Sequence, residues 1–158
     1  SLHDALPILR MGGYHTVVVG TDGSDSSLRA VERAAHLASG PDATLIIATA
    51  YIPADEDGRA ADLLKDAAYK VTGNGPIYDL LHDATDRAKA AGATNIEERA
   101  VVGAPVDVLV DLAIEVGADL LVVGNVGMNT IAGRLLGSVP ANVARRSKTD
   151  VLIVHTAD

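Results

Sequence analysis

A doubly wound, three-layer α/β fold on a five-stranded parallel sheet is predicted by three observations. Short apolar runs recur along the chain at Val17 to Val19, Leu45 to Tyr51, Asp119 to Val123 and Val151 to Val154, with a more polar one at Ile96 to Val102. Stretches with apolar residues at helical spacing separate them. The runs are nearly continuous in apolar character instead of alternating, which marks strands buried on both faces and so helices on both sides of the sheet.

Val17, Val18 and Val19 stop at Gly20, where the chain turns. Ser24 or Asp25 then caps a helix whose Leu28, Val31, Ala35 and Ala38 share one face, while Arg29, Glu32, Arg33 and His36 share the other. Leu45 to Tyr51 is the second strand, and Ile77, Leu80, Leu81, Ala84 and Ala88 stripe a helix that ends at Gly92. An insertion over Ile52 to Gly75 separates the two, with an acidic cluster Asp55-Glu56-Asp57, a helical turn near Ala60 to Tyr69 and a break at Gly73-Asn74-Gly75. Connections of that length are more often functional or mobile than not. In the third strand Glu97, Glu98 and Arg99 suit a sheet edge. Pro105 opens a helix with Val106, Leu109, Val110 and Ala113 inward. Ser138 caps a short helix to Arg146 with Pro140 in its first turn, and Arg145, Arg146 and Lys148 favour the negative end of its dipole.

With 158 residues and 48% hydrophobic content, the chain suits one compact domain, expected over 14–158. Met11-Gly12-Gly13 has the character of a native start, and residues 1–13 are expected to be a disordered extension without the features of a signal peptide. The absence of cysteine excludes disulfides and thiolate metal sites and points to a reducing compartment, the cytoplasm. A net charge of -8 argues against nucleic acid or an anionic membrane as partner, and no apolar run approaches the roughly 20 residues that span a bilayer.

The most informative local feature is a pair of glycine clusters, Gly124-Asn125-Val126-Gly127 and Gly137-Ser138, the first directly after an apolar strand. Glycine brings bare amides close to a ligand, and the second cluster opens a helix whose free N–H groups and positive dipole end suit an anion. Three or four charge-assisted bonds of roughly 1.5 to 3 kcal/mol each would hold a nucleotide at micromolar affinity. The alternative is that these glycines only cap and turn. In a doubly wound sheet, ligands sit beyond the carboxyl ends of the strands, where Gly20-Thr21-Asp22-Gly23 would neighbour the first cluster. Asp22 there is either an acceptor for a ribose hydroxyl or an adenine amino hydrogen, or a turn residue. Ala50 and Tyr51 would wall a base, and Arg134 would either add a cation to phosphates or lie solvated.

Other chemistry finds less support. Gly133 to Ser138 lacks the lysine of a Walker A loop, no Rossmann fingerprint is present, and the five histidines His3, His15, His36, His82 and His155 show no ligand spacing. Asp55 and Asp57 are a weak Mg²⁺ pair, more simply read as solvated charge.

Gly124-x-x-Gly127, nine residues, then Gly137-Ser138 resembles the G-2x-G-9x-G-(S/T) pattern of the ATP-binding branch of the universal stress protein family. Val17 to Ser24, Gly103-Ala104-Pro105 and Ala118 to Gly124 extend the resemblance across about Tyr14 to Thr156, whereas Asn125 stands where serine or threonine is common. The resemblance implies strand order 3-2-1-4-5, a base near Asp22 and Ala50, and phosphates on Gly127, Gly137, Ser138 and Val139. It also implies a homodimer, and the apolar edge strand Val151 to Val154 agrees, since antiparallel pairing with its copy would cover it. The Ile131 to Pro140 stretch resembles small actinobacterial members associated with cyclic AMP (cAMP) as well as ATP, with Mg²⁺ an expected companion only of ATP.

The resulting expectation is a dimeric stress or signalling protein that binds ATP or cAMP and acts by binding, with at most slow hydrolysis. One competitor is an adenylyl-transfer or ATP-pyrophosphatase enzyme, whose S-G-G-x-D-S loop Thr21 to Ser26 imitates with Asp22 in place of a glycine. Another is a nucleotide-free interaction module of the same fold.

Overall fold

The computed structural model describes residues 13–52, 67–125 and 138–156, with the backbone alone for 67–74 and 138. The expected leading extension and most of the acidic insertion therefore lie outside the described residues. Strands β1 (Thr16–Gly20), β2 (Thr44–Tyr51), β3 (Ile96–Val102), β4 (Leu120–Gly124) and β5 (Asp150–Val154) alternate with helices α1 (Asp25–Leu37), α2 (Ala67–Ala90), α3 (Pro105–Glu115) and α4 (Ser138–Arg146). The sheet order is β3-β2-β1-β4-β5 and every pairing is parallel.

Alternation of side chains along each strand divides the core into two layers. Val17 and Val19 of β1, Leu45 and Ile47 of β2 and Leu120 and Val122 of β4 face one way, into Leu28, Val31 and Ala35 of α1 and Leu81, Ala84 and Ala88 of α2. Val18, Ile46, Leu121 and Val123 face the other way, into Leu109, Leu112 and Ala113 of α3 and Val139 and Val143 of α4. Register enforces the division, since Val18 lies between Ile46 and Leu121 and a slip of one residue would exchange the layers. Val17, Val18, Val19, Leu45, Ile47 and Leu121 have no exposed surface. Each such side chain contributes roughly 1.5 to 3 kcal/mol through burial.

Several boundaries differ from the sequence reading. The second helix does not wait for Ile77; it begins at Ala67, runs through Gly73-Asn74-Gly75 and carries Pro76 in its interior. Glycine costs a helix about 1 kcal/mol and proline about 3, but neither forbids it when a packed segment on one side lets hydrogen-bonded turns propagate. The fourth strand starts at Leu120, one residue later than expected, and the Asp119 carboxylate just before it accepts the main-chain N–H groups of His15 and Thr16, both at 2.9 Å. Ser138 is the first helical residue of α4 instead of its cap.

The two outer strands are unlike. β3 carries Glu97, Glu98 and Arg99, and Glu98 accepts a 2.6 Å hydrogen bond from the Thr85 hydroxyl. β5 presents Val151, Leu152 and Ile153, the last 42% exposed. At its start the Tyr14 hydroxyl donates to Asp150 at 3.1 Å.

Candidate functional site

Strand β1 leads to α1 on one face of the sheet and its neighbour β4 leads on toward α4 on the other, so the chain parts between their carboxyl ends. That divergence creates the crevice in which doubly wound folds bind ligands. Gly20 to Gly23 and Gly124-Asn125 meet there, as the sequence requires for a shared site.

The loop after β1 is held by a chain of hydroxyls. Ser27, fully buried on α1, donates to the Ser24 carbonyl at 3.0 Å, so the 2.7 Å contact between Thr21 and Ser27 uses the Thr21 proton. Thr21 in turn accepts the Gly23 N–H at 3.0 Å, and Ser27 accepts the Asp22 N–H at 3.3 Å. Ser24 caps α1 by accepting the Ser27 N–H at 3.1 Å. The Thr21 N–H donates to the Ala48 carbonyl of β2 at 2.9 Å. Gly23 sits at φ +85°, a conformation that side chains oppose, and an added Cβ would stand 3.3 Å from that of Leu80.

The amides of Thr21, Asp22, Gly23 and Ser24 are therefore all engaged within the protein. What the loop offers is the Asp22 carboxylate. Its Oδ1 accepts the Ser24 N–H at 2.9 Å, which is the turn role foreseen for it, while Oδ2 is buried and meets no donor among the described residues. A buried acceptor without a donor is costly, so Oδ2 marks a place for one.

On the opposite wall Gly124 is buried in β4, paired with Val154. The Asn125 N–H is not free for a ligand; it donates to the Val154 carbonyl at 2.9 Å and so lengthens the β4–β5 ladder by one rung. Val126, Gly127, Arg134 and Gly137 lie outside the described residues, as do Asp55 and Asp57. Ser138 and Val139 open α4, where main-chain N–H groups precede the intrahelical ladder, and the Val139 side chain is buried beneath them. Ala50 is half-buried at the end of β2, on the α3 side of the sheet shared with Ile46 and Ala48. The neighbouring Tyr51 accepts the Gly103 N–H at 2.9 Å through its main chain.

Ser27 and Thr156 escaped the sequence reading. Ser27 left a signal, a hydroxyl on the same helical stripe as Val31 and Ala34; Thr156, following the last strand, left none. His15, His36, His82 and His155 are exposed, and among the described residues no three histidine or acidic side chains gather as a metal would require. Nor is any described helix long and apolar enough to cross a membrane.

The model of the universal stress protein family matches residues 13–155. The universal stress protein Rv1636 of Mycobacterium tuberculosis is 73% identical over 146 residues, covering 92% of this chain and 99% of that protein. A putative universal stress protein of Staphylococcus haemolyticus is 30% identical over 92% of this chain and 87% of its own length. Among solved structures, a universal stress protein in complex with cAMP is 68% identical with a TM-score of 0.72, covering 92% of this chain and 99% of that one.

Proposed function

Because this chain belongs to the universal stress protein family, we propose that it binds an adenine nucleotide, ATP or cAMP, between the ends of β1 and β4 and acts by binding and not by turnover. The carrying observation is the buried Asp22 Oδ2, which meets no donor among the described residues, at the point where the chain parts. An adenine amino group or a ribose hydroxyl supplies the missing hydrogen. Ala50 leaves room for the base, and the phosphates lie against the amides of Val126, Gly127, Gly137, Ser138 and Val139, with Arg134 as a cation. Support comes from the 68% identical structure, which holds cAMP. Mg²⁺ would enter only with ATP, on its phosphates.

Binding without transfer is favoured by one detail. The Asp22 N–H points to Ser27 Oγ at 3.3 Å and cannot serve phosphates as the corresponding glycine amide of an adenylyl-transfer loop must. The working form is a cytoplasmic homodimer joined antiparallel through β5, whose outer edge is apolar.

Calorimetric titration with ATP, ADP and cAMP tests the site. Wild type should bind at least one, and both Asp22→Asn, which replaces the orphan acceptor with a donor, and Gly127→Ala, which adds a methyl to the cradle, should weaken it about tenfold or more, ~1.4 kcal/mol. Equal affinities in all three proteins would refute the placement. Release of AMP or pyrophosphate from ATP in the presence of carboxylic acids would favour the transferase reading instead.

A further inference from the structure

Asn125, the second residue of the first glycine cluster, makes contacts that a ligand-binding role does not explain. Its main-chain N–H is spent on Val154, and its carboxamide turns away to grip the chain beyond β5. Oδ1 accepts both the N–H of Thr156 at 2.7 Å and the Thr156 hydroxyl at 3.0 Å. Nδ2 faces Nδ1 of His155 at 3.3 Å, an arrangement that fixes which end of the amide is oxygen.

Thr156 is only 3% exposed and passes the connection on. Since its own hydroxyl proton goes to Asn125, the short contact with Ser26 Oγ uses the serine proton. Its carbonyl accepts the Arg29 guanidinium at 2.8 Å. Ser26 and Arg29 belong to the opening of α1, between Ser24 and Ser27 and one turn beyond, and those serines hold the Asp22 loop. A chain of hydrogen bonds thus joins the exit of β4 to the first turn of α1 by way of a residue that follows the last strand, and the main chain of α1 carries the link on to the Asp22 loop.

We propose that Asn125 and Thr156 are positioning residues for nucleotide binding, a clamp that sets the spacing between the end of β4 and the Asp22 loop without touching the ligand. The assignment rests on the nucleotide reading above. Polar networks of this kind act as units. Thr156→Val removes the hydroxyl that links Asn125 to Ser26 but keeps the main-chain bonds to Asn125 and Arg29, so it should loosen the clamp in the same direction as Asn125→Ala and by less.

The experiment is calorimetric titration of the full chain with cAMP and, separately, with ATP, alongside urea unfolding of each variant. Asn125→Ala should weaken the nucleotide that wild type binds by about tenfold and Thr156→Val by about threefold, Thr156→Ser should keep it near the wild-type value, and the double variant should be no weaker than Asn125→Ala. A purely structural role would lower the unfolding midpoint and leave the affinity of the folded protein unchanged, and that result overturns the proposal. So does a Thr156→Ser variant as weak as Thr156→Val, or a double variant that loses the product of both single effects. Should Asn125→Ala not fold, the Thr156→Val and Thr156→Ser pair decides alone. Wild type that binds neither nucleotide refutes the functional reading and the clamp together; wild type that binds, with Thr156→Val unaltered, refutes the clamp only.

Discussion

Replacing Thr21 with valine keeps the side-chain shape and removes one hydroxyl from the floor of the crevice. Thr21 has no exposed surface, and its Oγ1 takes part in two bonds, the 2.7 Å donation to Ser27 and the 3.0 Å acceptance from the Gly23 N–H. Two neutral bonds contribute about 1 kcal/mol each, and leaving the Gly23 N–H unpaired adds about 1 more. The new methyl returns roughly 0.8 kcal/mol through burial. The net loss is about 2 kcal/mol, some 30-fold in the ratio of folded to unfolded protein. Urea unfolding followed by circular dichroism should show a midpoint lower by about 1 M with an unchanged slope. Ser27→Ala on its own should cost a similar amount, and the double variant clearly less than the sum, because the two hydroxyls serve one network. A Thr21→Val loss below about 0.5 kcal/mol, or strict additivity, would show that the hydroxyl chain does not hold this loop.

Three further outcomes follow from the geometry. Gly103, at φ +142° and with Val108 Cγ2 only 3.0 Å from where a Cβ would stand, should lose about 1 to 3 kcal/mol on substitution by alanine, read as a lower melting temperature. Asp119→Asn keeps one acceptor for two main-chain donors at His15 and Thr16, so unfolding should become easier by about 1 to 2 kcal/mol in a urea titration. The hydrogen bond to Asp150, then burial and the nearby charges of Asp150 and Asp119, raise the Tyr14 pKa above its ordinary 10.0. The fold therefore holds this proton more tightly than the unfolded chain does, a stabilisation complete below pH 10 and lost as pH rises through the raised value. Unfolding midpoints measured from pH 9 to 11 should fall more steeply for wild type than for Tyr14→Phe.

The sheet was legible in the sequence because each buried strand is written as an unbroken apolar run, and β3 because its charges betray an edge. Likewise Pro105 and the spacing of Val106, Leu109 and Ala113 announced α3. What escaped was decided by long-range partners. Nothing local says that helix will pass through Gly73-Asn74-Gly75-Pro76, since the turns on either side outweigh the individual penalties. The glycine clusters and Asp22 were visible as candidates, and their surroundings were not. That the Asn125 amide would be taken by Val154, and its side chain by Thr156, depends on β5 lying beside β4, a neighbour some 30 residues away in sequence. The second glycine cluster lies mostly outside the described residues, so its part of the site still rests on the motif.

The contrast between the sheet's two margins bears on stoichiometry. Charges at Glu97, Glu98 and Arg99 discourage a further strand from adding along the first half of β3, whereas among the described residues β5 carries charge only at Asp150. Association through a single self-complementary border consumes it in both participants and stops at two chains. Under the proposed pairing through β5, one continuous sheet of ten strands would result, and the charges of Glu97, Glu98 and Arg99 on β3 would oppose its growth from that side.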